Sequence, residues 1–322
     1  MNPRLNQSTL FNVNISSGDI YPVKKIGDGS SGVVCAAKWN DKVVAVKIVN
    51  TNVQLNTTID PKAYDRYHAS SKKLHDILGI LMQARHRNVL PHYGYGKHKI
   101  GTSLTFIHFF YVCKWMPRGD LYEFILKHKD EPVEMQYKLR MAHGAARGLA
   151  YMHRKGIIHG DFKSSNILLD AQFRIKITDF DRSQLEGKAN QYTGTHCWMA
   201  PEIVFKDSFN SKQSDVYSLG TVWWEIFAWN RPLKKLEGSK LQYNIDYMTA
   251  VNNGIHDPIP SDCPRSIAAL IDFAWMQKPE RRPTAEEMRQ TAKLERRKNK
   301  TQEEINAALD VAVDMQLRRA GI

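Results

Sequence analysis

A chain of 322 residues with 42% apolar and 25% charged residues has the makeup of a folded globular protein, not of a disordered one. The length suits two lobes or domains with a large core, and 46 Lys and Arg against 33 Asp and Glu leave a formal charge of +13. That excess raises an acidic partner, nucleic acid or a membrane surface as readings, but no nucleic-acid module is recognisable, so a solvated basic surface is the plainer one.

The N-terminal stretch MNPRLNQSTLFNVNISSGDIYPVKK lacks the apolar run of about 7–15 residues that a signal peptide needs, so none is expected. Residues 20–50 read as strands: GVVCAAKW and KVVAVKIV are short, rich in valine and joined by a hairpin-like turn at NDK. Residues 51–72 are polar and irregular, an expected loop or insertion before a helical stretch, SKKLHDILGILMQA. LTFIHFFYVC (104–113) is the most apolar segment; it falls short of the roughly 20 residues a membrane span needs and fits a buried strand. Pro117 and Gly119 then interrupt regular structure at KWMPRGD.

From Leu121 the periodicity turns helical, in LYEFILKH and in MQYKLRMAHGAARGLAYMHRKG, which ends on Gly156. Short strands are expected around 166–178, then a polar loop, then helices at 214–228 and 265–276. A small strand-rich part thus precedes a larger helix-rich part. Near the end, RRKNK (296–300) is a basic run with a nuclear-targeting alternative. TQEE (301–304) has the capping-box form, and Ile305, Leu309 and Val313 follow at helical spacing, predicting a last amphipathic helix that docks on the body or on a partner. Cys35, Cys113, Cys197 and Cys263 are far apart and form no CxxC pair, which argues against a disulfide framework or zinc site and for reduced thiols in an intracellular, cytoplasmic protein. The sequons at Asn6, Asn14 and Asn56 are then incidental.

Several motifs carry chemistry. IGDGSSGVV (26–34) is a G-x-G-x-x-G-x-V stretch, whose glycines let the backbone approach phosphates. Strand-like text follows it where a dinucleotide fold would need a helix, which favours a β-hairpin lid. Lys47 in VAVK lies on a strand, where its charge needs a match; phosphate oxygens would supply one, and a snorkelling surface lysine is the plain alternative. HGDFKSSN places Asp161, Lys163 and Asn166 close together, DFD (179–181) follows, and GTHCWMAPE (194–202), SDVYSLG (214–220) and PERRPT (279–284) complete the series.

In this order and spacing the motifs, over about residues 20–290, resemble those of a eukaryotic protein kinase of the serine/threonine type. GVVCAAKW, the text around NVLPHYGYG and WMPRGDL are similar to the tyrosine-kinase-like group, which contains the mixed-lineage, Raf-like and integrin-linked kinases. The resemblance implies an α+β bilobal fold: a β-rich N-lobe at about 20–113, a hinge at 114–117 and a helical C-lobe at about 118–290, flanked by an extension (1–19) and a basic, amphipathic tail (291–322). It implies ATP, Mg²⁺ or Mn²⁺, and a protein substrate, with no nucleic acid and no membrane span.

The same resemblance implies the roles. Ile26, Gly27, Asp28, Gly29, Ser30, Ser31, Gly32 and Val33 would cover the phosphates, and Val34 and Ala45 would sandwich adenine against Leu168. Lys114, Trp115 and Met116 would offer backbone groups at the hinge, behind a small gatekeeper, Cys113. Lys47 would grip the α- and β-phosphates, Asp161 would accept the hydroxyl proton, Lys163 would stabilise the moving phosphoryl group, and Asn166 and Asp179 would hold the metal. Thr195 would brace Asp161 and Lys163, Glu202 would pair with Arg282, and Asp215 would anchor the catalytic loop.

Three departures stand against this pattern. Gly160 replaces the arginine that clamps an activation-loop phosphate, which implies basal activity that does not depend on Tyr192 and Thr193. Asp181 stands where glycine is expected, implying a stiffer loop and altered metal preference. Ile77 occupies the place of the helix glutamate that pairs with Lys47, leaving Asp65 or Asp76 as substitutes. The second reading is therefore a pseudokinase: a nucleotide-binding scaffold or allosteric partner.

Overall fold

The computed structural model describes residues 17–29, 32–49, 54–56, 79, 85–100, 104–187, 194–205, 208–232 and 249–299. The N-terminal half of this set is a six-stranded antiparallel sheet made of β1 (Tyr21–Gly29), β2 (Gly32–Trp39), β3 (Lys42–Val49), β4 (Gln54–Asn56), β5 (His92–Ile100) and β6 (Leu104–Lys114). β1, β2, β3 and β6 run side by side, and both β4 and β5 pair with β6. β2 and β3 meet at a two-residue turn, Asn40–Asp41, with positive φ at both positions (47° and 58°), the backbone twist a tight hairpin demands. β4 is a departure from the polar loop expected over 51–72; the remainder of that stretch and the helical stretch after it lie outside the described residues, Gly79 excepted.

The two-residue period of a strand divides its side chains between faces. Val44 and Val46 of β3 and Phe110 and Val112 of β6 pack with Ala37 and Trp39 on one side of the sheet. Ala45 and Cys113 point the other way, into a cluster with Leu90 and Met116. Lys47 shares that second side, two residues on from Ala45.

The C-terminal half is helical: α1 (Leu121–Lys127), α2 (Met135–Arg154), α3 (Pro201–Phe205), α4 (Lys212–Ala228), α5 (Arg265–Ala274) and α6, residues 285–299. Between α2 and α3 lie four short strands: β7 (Ile157–Ile158), β8 (Ile167–Leu169), β9 (Ile175–Ile177) and β10 (Gln184–Leu185). β8 pairs with β9 and β7 with β10. α2 buries its Leu139, Met141, Ala142, Ala145 and Leu149 face and ends where Gly156 turns left-handed at φ 69°. Gly144 and Gly148 bring β9 onto this helix: a Cβ there would meet Ile175 Cγ1 at 2.7 Å and Ile177 Cδ1 at 2.5 Å. α4 is buried on nearly every side, from Ser214 to Phe227, and forms the centre of the lobe.

α4 opens with a capping box between Ser211 and Ser214. A second box starts α6: the Glu287 amide donates to Thr284 Oγ1 (3.2 Å), and the Thr284 amide donates to Glu287 Oε2 (2.7 Å). The basic run at 296–300 therefore begins on a helix already under way, and residues 296–299 belong to α6. The TQEE segment and the amphipathic helix expected after it lie outside the described residues. Among the described residues no helix is long and apolar enough to cross a membrane.

Candidate active site

A cleft of about 740 Å³ separates sheet from helices. Val34 and Ala45 from the sheet and Leu168 from β8 line it and belong to one apolar cluster with Leu90, Cys113 and Met116. A flat apolar group fits between them. Ile26, Gly27 and Gly32 line the same cleft, and β1 and β2 close over it in a hairpin that pairs Asp28 with Val33 and Gly29 with Gly32. Ser30 and Ser31 at its tip lie outside the described residues.

Lys114, Trp115 and Met116 join the two halves at the cleft wall. The Lys114 amide already donates to the Pro91 carbonyl (3.0 Å), while the Met116 amide donates to no group among the described residues. Cys113 sits behind them, its thiol donating to the Ala45 carbonyl at 3.5 Å. Burial, against the pull of Lys47, pushes this thiol up to about 12, so it stays protonated and unreactive.

The loop after β7 is held from below by one carboxylate. Asp215, in the first turn of α4, accepts the His159 amide at 2.8 Å and the Gly160 amide at 2.9 Å, and His153 Nε2 lies 2.9 Å from it. Gly160 has φ 76°, and its carbonyl accepts from Asn210 Nδ2 at 3.1 Å. His159 Nδ1 accepts the Asp161 amide (3.3 Å), which leaves its Nε2 to donate to the Thr178 carbonyl (3.1 Å).

Asp161 is thereby presented with both oxygens engaged. Thr195 donates to Oδ1 at 2.9 Å, Lys163 lies 3.0 Å from Oδ2, and Lys163 also donates to Thr195 Oγ1 at 2.6 Å. Asn166 donates from Nδ2 to the Asp161 main-chain carbonyl at 2.8 Å, so its amide oxygen is directed away from that bond. Glu202 and Arg282 form a two-bond pair, both at 2.7 Å, in which Arg282 also reaches the Gln213 and Met276 carbonyls. Tyr192 and Thr193 lie outside the described residues.

Lys47 meets two carboxylates, Asp179 Oδ1 and Asp181 Oδ2, each at 2.7 Å. Burial works to lower its pKa, but the charges of Asp179 and Asp181 outweigh that and hold it above the ordinary lysine value. Asp179 adopts a left-handed backbone, φ 62°, and Phe180 between the two acids is buried against His159. Asp65 and Asp76, the partners expected from the sequence, lie outside the described residues. Asn166 and Asp179 line the cleft together. An amide oxygen and a carboxylate are hard donors, and two of them fit a divalent cation that draws its other ligands from phosphate and water.

Sequence reasoning passed over Glu225. This acid lies within the apolar run VWWEIF of α4, which is itself a signal, since a buried carboxyl requires partners. Here they are Ser164, in the loop after β7 (2.7 Å), and Trp198 Nε1 (2.9 Å). Arg182 was likewise passed over; it donates to the Gly194 carbonyl at 2.9 Å and ties the start of the segment after β9 to its end.

A family model described as protein tyrosine and serine/threonine kinase matches residues 20–292. Among curated proteins, the chain is 28% identical over 289 residues to a "probable serine/threonine-protein kinase" of Dictyostelium discoideum, covering 89% of this chain and 29% of that one. It is 30% identical over 272 residues to the RGS domain-containing serine/threonine-protein kinase A of the same organism, covering 84% and 22%. It is 29% identical over 278 residues to the serine/threonine-protein kinase CTR1 of Arabidopsis thaliana, covering 83% and 30%. The chain thus spans less than a third of the length of each of these relatives.

Proposed function

Since the chain belongs to the protein tyrosine and serine/threonine kinase family, we propose that it transfers the terminal phosphate of ATP to a serine or threonine hydroxyl of a protein substrate. The observation that carries this reading is the interlock of Asp161, Lys163 and Thr195 at a cleft that also presents Lys47 and Asp179.

Asp161 orients the attacking hydroxyl and receives its proton; Thr195 and Lys163 keep the carboxylate from turning away. Lys163 sits where negative charge gathers on the phosphoryl group in flight and offsets it. The adenine ring is gripped by Val34, Ala45 and Leu168, with the Met116 amide as donor to its edge, and the β1–β2 hairpin covers the phosphates. Lys47 binds the α- and β-phosphates by exchanging a carboxylate for phosphate oxygens. Asn166 and Asp179 would hold Mg²⁺, with Mn²⁺ as an alternative, and the metal would supply neutralisation of phosphate charge.

We read residues 20–290 as the catalytic domain, and residues 291–322 as a tail whose Ile305, Leu309 and Val313 meet a regulatory partner. The four cysteines are free, which supports a reducing compartment, the cytoplasm.

The test measures ATP turnover with Mg²⁺ and with Mn²⁺ on a generic protein substrate, for wild type and Asp161→Asn. Loss of the base lowers kcat by about 10²- to 10⁴-fold with nucleotide affinity retained. The departures at Gly160, Asp181 and Ile77 support the second reading, a pseudokinase. That reading prevails if wild type and Asp161→Asn give the same background while both bind ATP.

A further inference from the structure

Among the described residues two carboxylates meet the single positive charge of Lys47, and the two are not equivalent. Asp179 lines the cleft and leaves 25% of its side chain exposed, while Asp181 is only 8% exposed and is not part of the cleft wall. Their shared reach is built into the backbone. The left-handed turn at Asp179 and the burial of Phe180 let residues 179 and 181 approach the same ammonium. Lys47 itself is held in mid-sheet, its register set by Val34 on one side and Tyr111 on the other, with its ammonium 5.8 Å from the Tyr111 ring centre. Only the side chain can move, so whatever holds its end decides where the charge sits.

We infer that Asp181 is the positioning residue for Lys47, holding the ammonium in place while Asp179 is released to the metal. The inference rests on the proposed phosphotransfer for its kinetic consequence. The surplus negative charge of the trio is what a divalent cation would take, and the open carboxylate is the one it can reach. Asp181 then remains with Lys47, so the lysine stays matched in a buried setting where an isolated charge is costly. This supplies from the 179–181 segment a carboxylate that the sequence does not place as a glutamate at position 77.

The experiment compares wild type with Asp181→Asn, Asp181→Gly, Asp181→Glu, Asp65→Asn and Asp76→Asn. Each is checked for folding by thermal melting, then assayed for kcat and KM and for binding of a fluorescent ATP analogue with and without Mg²⁺. The Asn and Gly variants lose kcat on the order of 10²-fold, because the lysine end drifts by an ångström-scale distance, while the affinity for Mg²⁺-nucleotide stays near wild type. The same two bind metal-free nucleotide more tightly than wild type, since Lys47 is then offset by one carboxylate instead of the pair and has more charge to offer the phosphates. Asp181→Glu, which keeps the charge, recovers most of kcat. The inference is overturned if folded Asn and Gly variants keep wild-type kcat and metal-free affinity, if Asp181→Glu falls as far as Asn, or if Asp65→Asn or Asp76→Asn produces the loss instead. Should wild type fail to exceed Asp161→Asn in turnover, the phosphotransfer reading falls, and the metal-free binding alone decides for or against Asp181.

Discussion

At position 160 a Cβ would come within 2.6 Å of the Arg182 carbonyl and 3.0 Å of Asn210 Nδ2, on a backbone at φ 76°. The glycine that reads in sequence as a lost arginine is therefore fitted to its surroundings. Gly160→Ala is expected to cost at least about 1–2 kcal/mol, the ordinary penalty of a left-handed non-glycine residue, with the Arg182 contact added; urea denaturation measures it. Glu225 gives a second residue-scale prediction. Burial, opposed by the donors Ser164 and Trp198, raises its pKa to about 8 from 4.5. The folded chain keeps a proton there that the unfolded chain releases, so the associated stability is full below about pH 4.5 and is lost as pH rises to about 8. Glu225→Gln does not titrate; it keeps an acceptor for Trp198, and its amide N–H replaces the Ser164-to-carboxyl bond by donating to the Ser164 hydroxyl. The urea midpoint of wild type relative to this variant is expected to fall between pH 5 and 8, about the window of the shift.

Helices α2 and α6 together carry a stripe of positive charge. Arg140, Arg147 and Arg154 recur every seventh residue of α2, which keeps them on one face, and Arg289, Lys293 and Arg296 come from α6. Burial and then Arg87, Arg289, Arg154 and Arg296 lower the pKa of Arg147. Burial, with Arg296 next, lowers His143 to about 4, and its Nδ1 lies 3.0 Å from Arg296 Nη1. Glu286 answers part of this charge through Arg154 and Arg289. Arg147→Gln is expected to stabilise the protein by about 0.5 kcal/mol at low ionic strength, and by less at high salt, where the repulsion is screened; melting curves at two salt concentrations test it. The helices themselves were legible. α2 and α4 lie where their apolar periodicity and the Gly156 stop place them. β4 was not legible, because so short a segment as Gln-Leu-Asn becomes a strand only by pairing with β6. The Thr284 box was passed over for TQEE because both satisfy the same four-residue form, and the form alone does not show which hydrogen bonds are made.

On the scale of the whole molecule, a sheet and a helical lobe enclose the cleft, and the site is assembled from both. Much of that assembly could be read from the chain. Lys47, Asp161, Lys163, Asn166 and Asp179 are recognisable because each sits in a short motif whose residue types suit one chemical task, and the motifs follow one another in a fixed order. Local text also places Ala45 and Lys47 on one side of β3, since a strand alternates by two. Which carboxylate Lys47 meets could not be read in this way. Asp179 and Asp181 stand 132 and 134 residues further along the chain, beyond the reach of local spacing, which offered only Asp65 or Asp76, both outside the described residues. That choice was made by the tertiary structure. The left-handed turn at Asp179 and the burial of Phe180 against His159 set where two neighbouring acids end up, and a pairing between distant segments follows from such packing, not from local residue spacing.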